Sequence, residues 1–166
     1  MNIITSLVRL LLRHRLIEFL SSIKAYSLIS RIAIFSSRKI DNGSSYNVVC
    51  IGRIIFDEDI EEISRHSGKV NYLIIPKIIF ISIFNYHFHH IKFDHVNYHK
   101  DDKLVEEKRA YKKFLERFLV CLLNKVNVDA IMSANYVYVW QQELAAICLE
   151  KKIPFIVLHK EGITSP

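Results

Sequence analysis

The residue types best suited to chemistry stand together near the C-terminus, in His159-Lys160-Glu161 followed by Gly162. An imidazole, an ammonium and a carboxylate side by side supply a base, an anion contact and an orienting acid, a set suited to deprotonating a hydroxyl. The residues before them, Phe155 to Leu158, form an apolar run opened by Pro154, so the cluster falls at the carboxyl end of a strand. Neighbouring side chains of an extended chain point to opposite faces, so Lys160 and Glu161 cannot both face one site and one of them is structural. The competing reading is a solvated strand end with no chemistry.

A second cluster, Ser133-Ala134-Asn135-Tyr136, ends the apolar run that begins at Asp129, with Tyr138 and Trp140 just beyond. It lies where a strand passes into a helix. Backbone amides there, with the Asn135 side chain, suit a hydroxylated or anionic group. Equally, Asn135 caps the helix and the aromatics pack. A third group, His87, His89, His90, His95 and His99, invites a metal reading, since His95 and His99 have i, i+4 spacing and Asp94 adds a carboxylate. No HExxH accompanies them, and Phe88, Phe93 and Tyr98 are interleaved. A loop that touches a sugar or a partner fits this stretch better, so neither a metal nor a cofactor is expected.

The elements that must position these clusters follow from periodicity. Apolar residues recur at helical spacing from Ile3 to about Ser37, one long or two shorter amphipathic helices. Asp41 to Ser45 is a turn, Tyr46 to Ile51 a strand, and Asp57 to Ile63 a short helix with acids in its first turn. A second strand runs from Val70 to Ile75 and is stopped by Pro76, while Lys77 to Tyr86 is too uniformly apolar to assign. Asp101 to Asn124 is the clearest helix, Asp129 to Ser133 a third strand, Tyr138 to Lys151 a helix, and a fourth strand opens at Pro154. Strands alternating with helices predict an α/β fold: a Rossmann-like parallel sheet flanked by helices, with amphipathic helices over residues 1–40 and one domain over 41–166. In such sheets ligands collect at the carboxyl ends of the strands, where both polar clusters fall.

Composition narrows the class. Of the 166 residues 51% are hydrophobic and 24% charged, which suits a globular core and excludes a disordered chain. Only four glycines are present and no GxGxxG or Walker-type loop, so a self-contained nucleotide-binding fingerprint is excluded. The net charge of +6 gathers partly in Arg9, Arg13, Arg15, Lys24, Arg31, Arg38 and Lys39, a solvated face or a contact for anionic lipid. Zinc spacings, RNP motifs and a basic region with heptads are all missing, so no nucleic-acid partner is expected. Cys50, Cys121 and Cys148 are widely spaced in apolar runs and read as core residues of a reducing compartment. No apolar run reaches membrane-spanning length, which places the chain in the cytoplasm, with the N-terminal basic helices able to touch the inner membrane surface.

The stretches Asp129-Ala-Ile-Met-Ser-Ala-Asn-Tyr136, Gln142-Glu-Leu-Ala145 and Ile153-Pro-Phe-Ile-Val-Leu-His-Lys-Glu-Gly162 together resemble the N-terminal half of bacterial surface-polysaccharide, capsule-type GT-B glycosyltransferases. These are similar in architecture to UDP-N-acetylglucosamine 2-epimerases and to the glycerophosphotransferases of teichoic acid synthesis. The likeness covers the chain from Asp129 onward, and the earlier part agrees only in element order. It implies half of a GT-B fold: an acceptor-side domain facing a second domain that grips a nucleotide-sugar donor. By position His159 or Glu161 would be the base, Lys160 an electrostatic helper, and Ser133, Asn135 and Tyr136 the acceptor side. The acceptor would be a carbohydrate or a lipid-linked one. The donor-binding half of the family pattern is missing, so this chain is expected to be inactive alone. A reading from a different class is a non-catalytic Rossmann-like module that docks a protein partner through its last strand.

Overall fold

Strands form where β-branched and apolar residues run without a break, and helices where apolar residues recur every third or fourth position. The computed structural model describes residues 14–52, 54–89, 104–134 and 139–158. Residues 14–22 are helical (α1) and are followed by α2, Tyr26–Phe35. The alternating part comprises β1 (Arg38–Ile40), β2 (Asn47–Gly52), α3 (Ile54–Ser67), β3 (Asn71–Pro76), α4 (Ile78–Phe88), α5 (Val105–Leu123), β4 (Ala130–Ser133), α6 (Val139–Glu150) and β5 (Phe155–Val157).

The five strands form one sheet in the order β1-β3-β2-β4-β5. β3, β2, β4 and β5 are mutually parallel, whereas β1 runs antiparallel along β3 with Arg38 opposite Ile74 and Ile40 opposite Tyr72. The α/β class and helix-flanked sheet are thus as the periodicity predicts, but the sheet is mixed rather than parallel. The extra strand falls in a segment read as the tail of the N-terminal helices, because Arg38-Lys39-Ile40 is too short and too charged to carry a strand pattern. Charge is what an edge strand tolerates and what discourages further pairing. Arg38 also ties this edge to α3, through an ion pair with Glu61 and a 3.1 Å hydrogen bond to the Asp57 carbonyl.

Strand alternation divides the sheet into two faces. Val49, Ile51, Leu73, Ile75 and Ile131 face a large core with α1, α2, α4, α5 and α6. Val48, Cys50, Tyr72, Ile74 and Ala130 face α3 through Phe56 and Ile60. The apolar stretch that periodicity could not assign is α4, and its all-round apolarity follows from its position: Ile79, Phe80, Ile83 and Phe84 are all buried in the larger core. Phe80 packs edge-on to Phe118 of α5 and stacks on Trp140 of α6, ring centroids 5.8 and 5.9 Å apart.

Two helices end alike. Lys24 and Lys152 hold positive φ of 54° and 58°. The next residues, Ala25 and Ile153, donate back to the carbonyls of Leu20 and Cys148 at 2.9 and 2.8 Å, the closure of a left-handed helix cap. Glycine usually takes that position, and here lysine does. No helix among the described residues is long and apolar enough to cross a membrane.

Candidate functional site

The chain leaves β2 into α3 on one face of the sheet and leaves β4 into α6 on the other. β2 and β4 are adjacent, so the chain parts in opposite directions at their carboxyl ends, the geometry that leaves a crevice in open parallel sheets. That is the topological switch point of an open parallel sheet, the place where such sheets bind ligands.

On the β2 side stands Gly52, where a side chain has no room. A Cβ there would lie 2.9 Å from Cγ2 of Ile74, 3.1 Å from Oδ1 of Asp57 and 3.2 Å from the Ile75 carbonyl. Asp57, in the first turn of α3, therefore brings its carboxylate against the strand end. A carboxylate suits that helix end, and it makes this rim a place for hydroxyl or cationic groups rather than anions. Cys50 lies beneath. Burial pushes its thiol up to about 12, and the Asp57 charge adds to the rise, so it packs and does not act as a nucleophile. Cys148 is likewise raised to about 12 by burial, and Cys121 is half-buried.

On the β4 side Ser133 is fully buried, and its Oγ accepts a 2.7 Å hydrogen bond from Nε2 of Gln141 in the first turn of α6. The other half of that amide, Oε1 of Gln141, is closed off from solvent and has no hydrogen-bond partner among the described residues. A buried acceptor without a donor is uncommon in folded proteins. The first turn of α6 carries no acid, so its amide dipoles are uncompensated by charge within that turn. The β4 end thus carries a buried, neutral hydrogen-bonding pair and the β2 end a carboxylate, a polarity that suits a hydroxylated ligand better than a free phosphate.

Of the residues singled out from sequence, Ser133 is placed at this crevice, as a buried strand-end hydroxyl. Asn135, Tyr136, His159, Lys160 and Glu161 lie outside the described residues, as do His90, His95 and His99 of the histidine stretch. Their chain neighbours are described. Ser133 is in register with Val157, and the Leu158 N–H donates to the Ser133 carbonyl at 3.0 Å. The segments that open at Asn135 and at His159 thus continue from hydrogen-bonded neighbouring strands. Among the described residues no cluster of histidine, cysteine and carboxylate residues is arranged to hold a metal. Gly52, Asp57 and Gln141 escaped the sequence reading. The signal for the first two was there, a glycine ending a β-branched run with an acid five residues on. Gln141 gave none, because a lone glutamine in a helix looks like surface.

No family model, curated protein or solved structure matches the chain.

Proposed function

We propose that this chain is the acceptor-side, Rossmann-like half of a GT-B glycosyltransferase that builds surface polysaccharide. It would transfer a sugar from a nucleotide-sugar donor and turn nothing over without a donor-binding half. The observation that carries the reading is the pairing of the β4 and β5 carboxyl ends beside the switch point, with Ser133 and Leu158 hydrogen-bonded across it. From those two ends start the segments holding Asn135-Tyr136 and His159-Lys160-Glu161. In this reading the Ser133–Gln141 and Asp57 rims receive hydroxyls of a carbohydrate or lipid-linked acceptor. His159 or Glu161 takes the proton of the attacking hydroxyl, and Lys160 steadies charge as the donor diphosphate departs. The N-terminal helices bring the domain to the inner membrane surface.

The test has two arms. Titrated by NMR, the chain should respond to acceptor oligosaccharide at Ser133 and Gln141, and not to nucleotide-sugar. In an enzyme carrying both halves, His159→Ala and Glu161→Gln should together cut turnover by roughly 10²-fold or more, the scale of a lost general base, while leaving the unfolding midpoint nearly unchanged. Tight nucleotide-sugar binding by this chain alone, or near-normal turnover in both variants, defeats the assignment.

A second reading, a partner-docking module, is favoured by β5. Among the described residues it pairs only with β4, and Ile156 is 40% exposed on the face that α3 covers elsewhere. Co-purification of a stoichiometric protein partner, lost on Ile156→Lys, would favour that reading over the enzyme.

A further inference from the structure

Away from the switch point, α5 sorts its cations by face. Arg109 pairs with Glu106 at 3.0 Å, Lys112 with Glu150 at 2.6 Å, and Glu116 receives Lys151 at 2.8 Å. Lys113 and Arg117, one turn apart on another face, make no ion pair within 4 Å among the described residues, and neither does Lys24; the Glu116 carboxylate acts on Arg117 only through space. These three line one cleft of about 660 Å³, bounded by the α1–α2 turn, the end of α4 and the middle of α5. Among the described residues no acid lines it. Tyr26 and Tyr86 form part of its wall, and the Arg117 guanidinium lies over the Tyr26 ring at 5.9 Å from the centroid. His87 closes the inner side, with Nε2 buried and without a hydrogen-bond partner among the described residues.

Three cations brought to one concavity without an ion pair repel each other, a cost that an anion seated among them would remove. On the other face of the same helix, carboxylates fill that place. The cleft is the size of a small-molecule site, much too small for a nucleic-acid duplex. A guanidinium fork beside two ammonium groups matches an oxyanion of more than one charge, and the phenols suit its remaining oxygens.

We propose that this cleft binds a phosphate-bearing group, a phosphomonoester or diphosphate carried by a soluble metabolite or by a lipid headgroup. The site is independent of the switch-point crevice and of the transferase reading. The left-handed cap at Lys24 ends α1 and sets that side chain at the rim, while i, i+4 spacing sets Lys113 and Arg117 on one side. Burial holds the His87 ring down at about 4, so it is neutral at pH 7 and adds a hydrogen-bonding nitrogen without charge.

The experiment uses the whole chain at low salt, where exposed charges act most strongly. Pyrophosphate is titrated calorimetrically, and vesicles of phosphatidic acid are compared with vesicles of phosphatidylcholine by co-sedimentation. The variants are Lys113→Gln/Arg117→Gln, both on exposed side chains, and a charge-matched pair remote from the cleft, Lys69→Gln/Lys125→Gln. Binding of pyrophosphate that the cleft pair weakens by about ten-fold or more, the size of a lost charge-assisted contact, and that the remote pair leaves alone, establishes a soluble phosphate ligand. The same pattern with phosphatidic acid vesicles only establishes a lipid headgroup. Absence of binding to both probes, equal weakening by the two pairs, or equal sedimentation with phosphatidylcholine overturns the site.

Discussion

Ser133 and Gln141 form a pair whose two members are not equivalent. Ser133→Ala leaves the Gln141 amide N–H buried beside an already orphaned Oε1, and such a loss costs roughly 1–3 kcal/mol. Gln141→Leu removes both amide groups together, so the double variant should be more stable than Ser133→Ala alone. Urea midpoints of the single and double variants decide the matter. If Ser133→Ala is silent, the hydrogen bond contributes nothing. His87 offers a second prediction, of opposite character. Its ring is held at about 4 by burial, against an ordinary 6.5. Between those values the unfolded chain takes up a proton that the folded chain refuses, so stability is full above pH 6.5 and declines as pH falls toward 4. The shift amounts to at most about 3 kcal/mol, cut to roughly 1–2 by solvent at a half-buried ring. Unfolding midpoints taken from pH 7 to 4.5 should slope downward in the native protein and flatten in His87→Phe.

Gly52 shows what an element end demands. The position has no left-handed backbone; the demand is space, since a Cβ would press on Ile74, the Asp57 carboxylate and the Ile75 carbonyl. The carbonyl belongs to a paired strand and cannot yield, so Gly52→Ala should cost roughly 1–3 kcal/mol and displace the start of α3. A lowered urea midpoint would register the first effect, and altered amide shifts at Asp57 the second. An unchanged midpoint would mean that β2 and β3 part easily there. Elements of this kind were partly legible in the sequence. β2, β3 and β4 are short, unbroken apolar runs ended by glycine, proline or serine, and that pattern identified them. α4 did not declare itself because a largely buried helix, apolar over most of its length, has no polar stripe. β1 did not because three residues, two of them charged, form a strand only when β3 offers an edge, and that pairing is made across 30-odd residues of chain. For the site, Ser133 was legible as the polar end of an apolar run. Gly52 and Asp57 left a local signal, but Gln141 left none, since its placing depends on which face its helix takes after β4, and local sequence does not encode that choice.

At the scale of the molecule, residues 14–40 are built into the main core. Ile17, Leu20, Ile29 and Ala33 are buried in the same cluster as the sheet residues Val49, Leu73 and Ile75, and Ser30 of α2 also hydrogen-bonds the Phe118 carbonyl of α5 at 3.3 Å. The three larger side chains contribute roughly 1.5–3 kcal/mol each, against a total of roughly 5–15 kcal/mol for a domain. Removing residues 1–40 would also strip β1 from β3 and leave an apolar strand edge, Tyr72 to Ile75, open to pairing with other chains. Residues 41–166 expressed alone should therefore keep helical signal in the far ultraviolet but lose a cooperative thermal transition, bind hydrophobic dye and aggregate. A sharp transition in a monomeric 41–166 fragment would show the opposite: an N-terminal layer that the sheet can do without. The distinction bears on function as well as folding. The cleft holding Lys24, Lys113 and Arg117 straddles that boundary, so a detachable layer would let the phosphate site form and dissolve without the crevice at β2 and β4 noticing. An integral one makes the two sites faces of a single cooperative unit, in which a ligand that tightens either also stabilises the framework of the other.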